Sequence, residues 1–184
     1  MRITEPFVKV HYVLWLVGKG ANKILVSVDG AEPNHEMVAQ TLEREGYNRQ
    51  PLIHSKVDWT GVFTKAEVTI TVFSNPGIDI KAHFTNGELL LAECKGEPTA
   101  SGIKSGQDLT ALYAALGQLI LTANDEAKNE RLNLALVVPD STRLKEKLAL
   151  TGKNTRLKKL GIGLALVDES GKVKEITPNF SNKL

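Results

Sequence analysis

The 184-residue sequence is poor in the features that mark several classes of protein. Its single cysteine, Cys94, excludes an internal disulfide framework and lacks the companion cysteines of a structural zinc site. The sequence has no uninterrupted run of about 18 apolar residues, so no membrane-spanning helix is predicted, and its amino terminus lacks a signal-peptide pattern. We therefore expect one cytoplasmic domain over residues 1–184, stabilised by its own hydrophobic core.

Neither sign of charge is in large excess, because the formal net charge is only +2. Composition alone therefore does not indicate a nucleic-acid-binding protein. Basic residues are nevertheless concentrated between positions 141 and 160, where Glu146 is the single acid. Such a cluster suits contacts with a phosphate backbone, although a solvated surface explains it equally well. The basic residues expected at DNA are Arg143, Lys145, Lys147, Arg156, Lys158 and Lys159.

Hydrophobic patterning predicts an α/β fold. Residues 1–32 are apolar and β-branched without a clean period, which leaves open a hairpin or a short helix and strand; we expect a β-rich extension. The core, at about 33–184, is predicted to begin with a helix at 35–45, because Asn34 can cap its start and Gly46 can end it.

The rest of the core is predicted to be a mixed sheet flanked by helices. Segments that alternate between apolar and polar residues, from position 51 onward, predict an antiparallel meander. Leucines at helical spacing predict a helix at 107–123, and the continuous apolar run at 132–139 predicts a strand buried on both faces. A further helix is predicted in the basic segment at 141–150, and a closing pair of strands is predicted around Ser170-Gly171.

The segment PGIDIKAHFTNGELLLAECKG, residues 76–96, places charged residues in two strands that are otherwise apolar. A two-residue turn at Asn86-Gly87 mixes charged and apolar side chains on both faces. A three-residue loop with Gly87 in the left-handed conformation separates them and places Asp79 opposite Glu93. We expect this second register.

Opposed carboxylates on adjacent strands repel each other unless a cation lies between them. Lys81 or Lys95 can supply that cation in a structural salt bridge. A divalent ion is the alternative, because Mg²⁺ and Mn²⁺ take one or two carboxylates and keep waters that substrate phosphates can replace.

The sequence PGID, which ends at Asp79, and the triplet Glu93-Cys94-Lys95 in the next strand resemble the PD-(D/E)xK nuclease superfamily. The resemblance covers roughly residues 33–140 and implies a restriction-endonuclease-like core. It implies a nuclease that hydrolyses phosphodiester bonds in DNA with Mg²⁺, for which Mn²⁺ can substitute. Asp79 and Glu93 would bind the ion, the Cys94 carbonyl would be a further ligand, and Lys95 would assist the attacking water.

The resemblance also suggests weaker candidates. An acid in the early helix often completes the metal site of the family, and Glu36 matches it, although the helix dipole alone favours a carboxylate there. A glutamine in the helix after the triplet often reaches the site, as Gln118 would, but Thr122 replaces the tyrosine that accompanies it. Apart from the resemblance, Lys104 and Ser105 in the loop before that helix can hold phosphate oxygens near the helix N-terminus, although a flexible loop with Ser105 or Gly106 as the helix cap explains the sequence equally well.

A homodimer is expected, because small nucleases that cut duplex DNA usually dimerise to reach both strands. Two alternatives remain open. One is a catalytically silent DNA- or protein-binding domain of the same fold, with an ion pair in place of the metal. The other is an RNA-processing nuclease.

Overall fold

The computed structural model describes residues 2–30, 34–53, 55, 57–74, 77–98, 107–126, 131–141 and 161–177. These residues form an α/β structure in which a large mixed sheet is flanked by helices. The helices are α1 (Glu5–Gly18), α2 (Met37–Arg44) and α3 (Gln107–Glu126). The strands are β1 (Ala21–Ser27), β2 (Asn48–Gln50), β3 (Gly61–Lys65), β4 (Val68–Phe73), β5 (Ile80–Phe84), β6 (Glu88–Cys94), β7 (Arg131–Pro139), β8 (Ile162–Val167) and β9 (Val173–Thr177).

The nine strands of the described residues lie in the order β2-β3-β4-β1-β5-β6-β7-β8-β9. β1 is an interior strand, because it pairs in parallel with β4 and antiparallel with β5. β5 and β6 form an antiparallel hairpin, and β6, β7 and β8 run parallel to one another. Among the helices of the described ranges, none is long and apolar enough to cross a membrane.

Two hydrophobic cores lie on opposite faces of the sheet. Because successive side chains of a strand point to opposite faces, β6 contributes Leu90 and Ala92 to one core and Leu89 and Leu91 to the other. α1 packs on the first core, and α3 covers the second over β6 and β7. β6 and β7 are therefore buried on both faces, which explains their nearly continuous apolar sequences.

The expectation of a β-rich extension at residues 1–32 is wrong. Residues 5–18 form α1, and the strand that follows it lies inside the sheet. α1 contacts both the sheet and α2, so buried residues occupy most of its circumference and leave no clean helical period. Its valines have low helix propensity, and tertiary packing overrides that preference.

The predicted early helix and meander are partly wrong. α2 is shorter than predicted, and Asn34 has a φ of 59°, so Glu36 occupies the N-cap position in its place. The described residues between 51 and 59 form no strand, because the Ser55 and Thr60 hydroxyls hydrogen-bond locally around Val57. β4 does not continue into β5, because β1 lies between them.

The register predicted for the central hairpin is confirmed. Ile80 pairs with Ala92 and His83 pairs with Leu89, as the three-residue loop requires. Gly87 has a φ of 80°, the left-handed conformation that glycine adopts without strain. The predicted helix at 107–123, the strand at 132–139 and the closing strand pair are also confirmed.

The start of α1 is fixed against the chain that follows β6. Ile3 and Glu97 exchange two hydrogen bonds: the Ile3 N–H donates to Glu97 Oε2 at 3.0 Å, and the Glu97 N–H donates to the Ile3 carbonyl at 2.8 Å. Gly96 lies so close that a Cβ there would be 2.5 Å from the Glu5 nitrogen and 2.9 Å from the Thr4 carbonyl carbon. The approach therefore requires glycine.

We expect Gly96→Ala to lower the free energy of unfolding by about 1–3 kcal/mol, because both groups that the added methyl meets are backbone and must move. Gly117→Ala in α3 is the matched control, since a Cβ there meets nothing within 4 Å. It should raise stability by about 0.5–1 kcal/mol. Urea unfolding of both variants measures the difference, and equal effects would contradict the tight contact at Gly96.

Candidate functional site

The ends of β5 and β6 place two acidic residues of the predicted site in the protein interior. Asp79 comes directly before β5, and Glu93 is the penultimate residue of β6. Their exposed fractions are only 7% and 1%. Buried carboxylates are stable only when they are paired, hydrogen-bonded or bound to a metal, so their contacts indicate what the site is built to hold.

Both carboxylate oxygens of Asp79 contact the protein. Oδ2 accepts a 2.7 Å hydrogen bond from the Cys94 N–H, and Oδ1 lies 2.9 Å from Lys9 Nζ on α1. The Asp79 carbonyl also accepts a hydrogen bond from the Ser27 N–H at 2.8 Å, which extends the contact with β1. Asp79 therefore joins α1, β1 and β6 at one point.

Asp79 does not follow the side-chain alternation that the sequence predicts. In strict alternation Ile78 would share a face with Ile80, but it packs against the leucine core on the α3 side. The reason is that β5 begins only at Ile80, so the two preceding residues are not held by the β5–β6 pairing. This departure directs the Asp79 carboxylate to the Cys94 peptide.

Glu93 is the least satisfied group of the site. Its Oε1 is buried and has no hydrogen-bond partner among the described residues. Its Oε2 lies 3.7 Å from Lys95 Nζ. Burial, and then the negative charge of Asp79, raises the pKa of Glu93 to about 8. Without a cation the group therefore keeps a proton at neutral pH, and a bound metal ion would replace that proton.

Lys95 lies among three carboxylates. Its Nζ is 3.5 Å from Glu5 Oε1, 3.7 Å from Glu93 Oε2 and 3.9 Å from Asp79 Oδ2. Burial acts to lower the pKa of Lys95, but the charges of Asp79, Glu5 and Glu93 outweigh it and raise that pKa. The side chain is 24% exposed, so this firmly charged ammonium can meet a ligand in solution.

Two residues of α1 belong to the site although the sequence analysis missed them. Lys9 is 1% exposed and bridges Asp79 Oδ1, at 2.9 Å, to Glu5 Oε1, at 3.2 Å. A signal was present, because Glu5 and Lys9 stand four residues apart in an otherwise apolar run, the spacing of a helical ion pair. The β-rich interpretation of this segment concealed it.

The backbone around Cys94 contributes more to the site than its thiol does. The thiol is buried in the core on the α1 side, and burial raises its pKa well above the ordinary value, so it is not a reactive thiolate. The peptide on its amino side donates to Asp79. The Cys94 carbonyl, which the sequence predicts as a metal ligand, lies in the backbone between Glu93 and Lys95.

Gln118, on α3, contacts the backbone before Asp79 and not the acids themselves in any contact described. Its Nε2 donates a 2.6 Å hydrogen bond to the carbonyl of Gly77, two residues before Asp79. Gln118 therefore holds the backbone that precedes the acid.

The remaining candidates are not brought to this cluster by any contact described. Glu36 is exposed and lies 3.8 Å from His35, on a helix that packs against α1 and β3. All of the residues predicted to bind phosphate lie outside the described ranges; they are Lys104, Ser105, Arg143, Lys145, Lys147, Arg156, Lys158 and Lys159.

The residues present fit a hard divalent cation with few protein ligands. Within the described ranges, no group of three or more His, Cys, Asp or Glu side chains is arranged to hold a metal ion. Asp79 and Glu93 nevertheless provide two carboxylates, and Glu93 Oε1 has no other partner in that part of the chain. Mg²⁺ characteristically uses one or two carboxylates and fills its remaining positions with water and substrate oxygens.

Comparison of the sequence with models of protein families finds no match, and neither a curated protein nor a solved structure matches the chain. The chemistry of the site is therefore inferred from its own contacts.

The raised pKa of Glu93 predicts a dependence of stability on pH. The folded protein holds a proton on Glu93 up to about pH 8, whereas the ordinary value is 4.5, so folding takes up a proton between these limits. The contribution is fully present below pH 4.5 and is lost as the pH rises through 8. In chelator, wild type should lose up to about 1 kcal/mol per pH unit relative to Glu93→Gln.

Urea unfolding of both proteins from pH 5 to pH 9 measures this difference. Glu88→Gln, at the other end of β6, is the matched control and should follow the wild-type curve. A constant difference between wild type and Glu93→Gln over this range would contradict the buried, protonated carboxyl group.

The contacts of Asp79 predict that Asp79→Asn destabilises the metal-free protein by about 2 kcal/mol, because the amide cannot neutralise buried Lys9. Relief of repulsion from Glu93 contributes little in the opposite direction, because Glu93 is mostly protonated at pH 7. Asp58→Asn, at an exposed acid, is the control and should have little effect. Thermal melting in chelator at pH 7 tests the prediction, which fails if Asp79→Asn melts at or above wild type.

Proposed function

We propose that the chain is a Mg²⁺-dependent nuclease with a restriction-endonuclease-like core, which hydrolyses phosphodiester bonds in DNA. The observation that carries the proposal is the buried Glu93 Oε1, which has no hydrogen-bond partner in the described residues and lies in a cluster with Asp79 and Lys95. Two acids and a charged lysine at adjacent strand ends are the set that metal-assisted phosphoryl transfer needs.

The order of elements supports the same core in a form that the sequence did not predict. Helix α1 is followed in space by the antiparallel series β1-β5-β6, then by helix α3 and strand β7. This is the helix, three-stranded meander, helix and strand that the resemblance implies. Elements α2 and β2 to β4 are then an insertion between β1 and β5, and Glu5 on α1 takes the place that the sequence analysis gave to Glu36.

Each residue of the cluster has a role in the proposed chemistry. Asp79 and Glu93, with the Cys94 carbonyl, would hold Mg²⁺, which polarises phosphoryl oxygens and lowers the pKa of bound water when present. Lys95 remains charged because its pKa is raised, so it stabilises negative charge developing on the phosphate and orients the attacking water. Glu5 holds the Lys95 ammonium at 3.5 Å, and Gln118 fixes the backbone at Gly77.

The substrate and assembly complete the proposal. DNA would contact the loop residues Lys104 and Ser105 and the basic segment from Arg143 to Lys159, and the active form would be a homodimer. These positions have the positive charge and small polar side chains that bind phosphates.

A second candidate, a catalytically silent binding domain, has its own supporting observation. Both oxygens of Asp79 contact protein groups, Lys9 and the Cys94 N–H, so the acid is stable without a metal. Metal binding distinguishes the two candidates.

We expect Lys95→Ala to lower the turnover number for DNA cleavage in Mg²⁺ by about 10²–10³-fold while sparing the affinity for Mn²⁺, because it removes only charge stabilisation. Glu93→Gln should lose both. Lys23→Ala, at an exposed lysine of β1, is the control and should keep both. The substrates are plasmid, linear, single-stranded and branched DNA, with RNA in parallel and chelator as the blank.

The outcomes separate the candidates. Metal-dependent cleavage of RNA alone would assign the chain to RNA processing. Absence of both Mn²⁺ binding and cleavage would support the silent domain, and wild-type turnover in Lys95→Ala would exclude Lys95 from the reaction.

A further inference from the structure

The ammonium group of Lys9 occupies the interior side of the cluster that Glu5, Asp79 and Glu93 form. Lys9 Nζ lies 2.9 Å from Asp79 Oδ1 and 3.2 Å from Glu5 Oε1, and the lysine is 1% exposed. An ammonium at these two distances takes the space between the two oxygens. Lys9 cannot reach a ligand in solution, so it acts on Asp79 and Glu5 rather than on substrate.

That position matters because nucleases divide into those that use one metal ion and those that use two. In two-metal sites the ions lie about 3.5–4 Å apart and share carboxylate ligands. Asp79 and Glu93 can hold one ion, and a second ion near Asp79 would require carboxylate oxygens on its other side. Glu5 is the acid there, and Lys9 already joins it to Asp79.

The charge of the cluster supports the same conclusion. With Glu93 ionised, as a metal ligand must be, the cluster has three carboxylates, Glu5, Asp79 and Glu93, and two ammonium groups, Lys9 and Lys95. One divalent ion and the single charge of a phosphodiester would bring this set to neutrality. A second divalent ion would leave two uncompensated positive charges in a mostly buried site, which is costly.

We propose that the site takes one divalent ion and that the Lys9 ammonium stands in place of a second, as a positioning residue that fixes Asp79 and Glu5. This inference rests on the proposed function, because it requires that Asp79 and Glu93 bind an ion. It adds the stoichiometry of the metal and the residue that sets it.

Counting bound Mn²⁺ tests the proposal without reference to activity. Equilibrium titration, with free Mn²⁺ followed by electron paramagnetic resonance, should give one ion per chain for wild type. Lys9→Met removes the charge but keeps the length of the side chain, and it should bind two. The two nearby ions should then broaden each other's resonance signal. Lys23→Met is the matched control and should bind one.

Lys9→Gln is a second variant, in case the methionine leaves Glu5 and Asp79 too poorly paired for folding. Its uncharged amide is one bond shorter than the lysine side chain and leaves the position of the ammonium open, so it too should bind two ions. Two ions in wild type, or one ion in a folded Lys9 variant, would overturn the role of Lys9 and leave the proposed nuclease intact. Absence of any bound Mn²⁺ in wild type would overturn both.

Discussion

The contact between Lys9 and Asp79 is the interaction on which the arrangement of the site depends. A buried lysine is stable only when its charge is matched, and its described partners are Asp79 beside the β5–β6 hairpin and Glu5 one helical turn away. α1 must therefore dock with this turn over the end of β6. The close approach of Gly96 and the hydrogen bonds between Ile3 and Glu97 fix the same helix end. Stability and site geometry thus share one set of contacts.

The site lies where the two cores of the sheet meet. Glu93 belongs to the same side of β6 as Leu89 and Leu91, under α3, whereas the Cys94 side chain faces the core beneath α1. Asp79 and Lys95 connect these sides at the strand ends, where pairing stops and side chains can depart from strict alternation. Helices on both faces cover the acids while leaving Lys95 partly exposed, so electrostatic contacts among these groups are stronger than they would be at the surface.

Sequence reasoning succeeded where local chemistry specifies structure. The register of the central hairpin follows from Gly87 and from alternation, and both Asp79 and Glu93 lie near Lys95, although the strand pairing begins only at Ile80. The sequence does not reveal α1, because a helix covered on several sides has no polar stripe to show its period. It also does not reveal the position of β1, since pairing between distant segments leaves no local pattern. Both failures removed Glu5 and Lys9 from the predicted site, although each residue is a plain charge in an apolar run.

The position of β1 between β4 and β5 has a consequence for how the chain is made. β1 lies near the amino terminus, yet Val26 pairs with Ile80, 54 positions later, and Ile24 pairs in parallel with Ile70. During translation this apolar strand leaves the ribosome with both edges unpaired and stays so until β4 and β5 emerge. Such long-range pairing slows folding and exposes unpaired edges to other chains. Among the described elements, α1 precedes β1 and packs against it, so it can cover one face of this strand before β4 and β5 emerge.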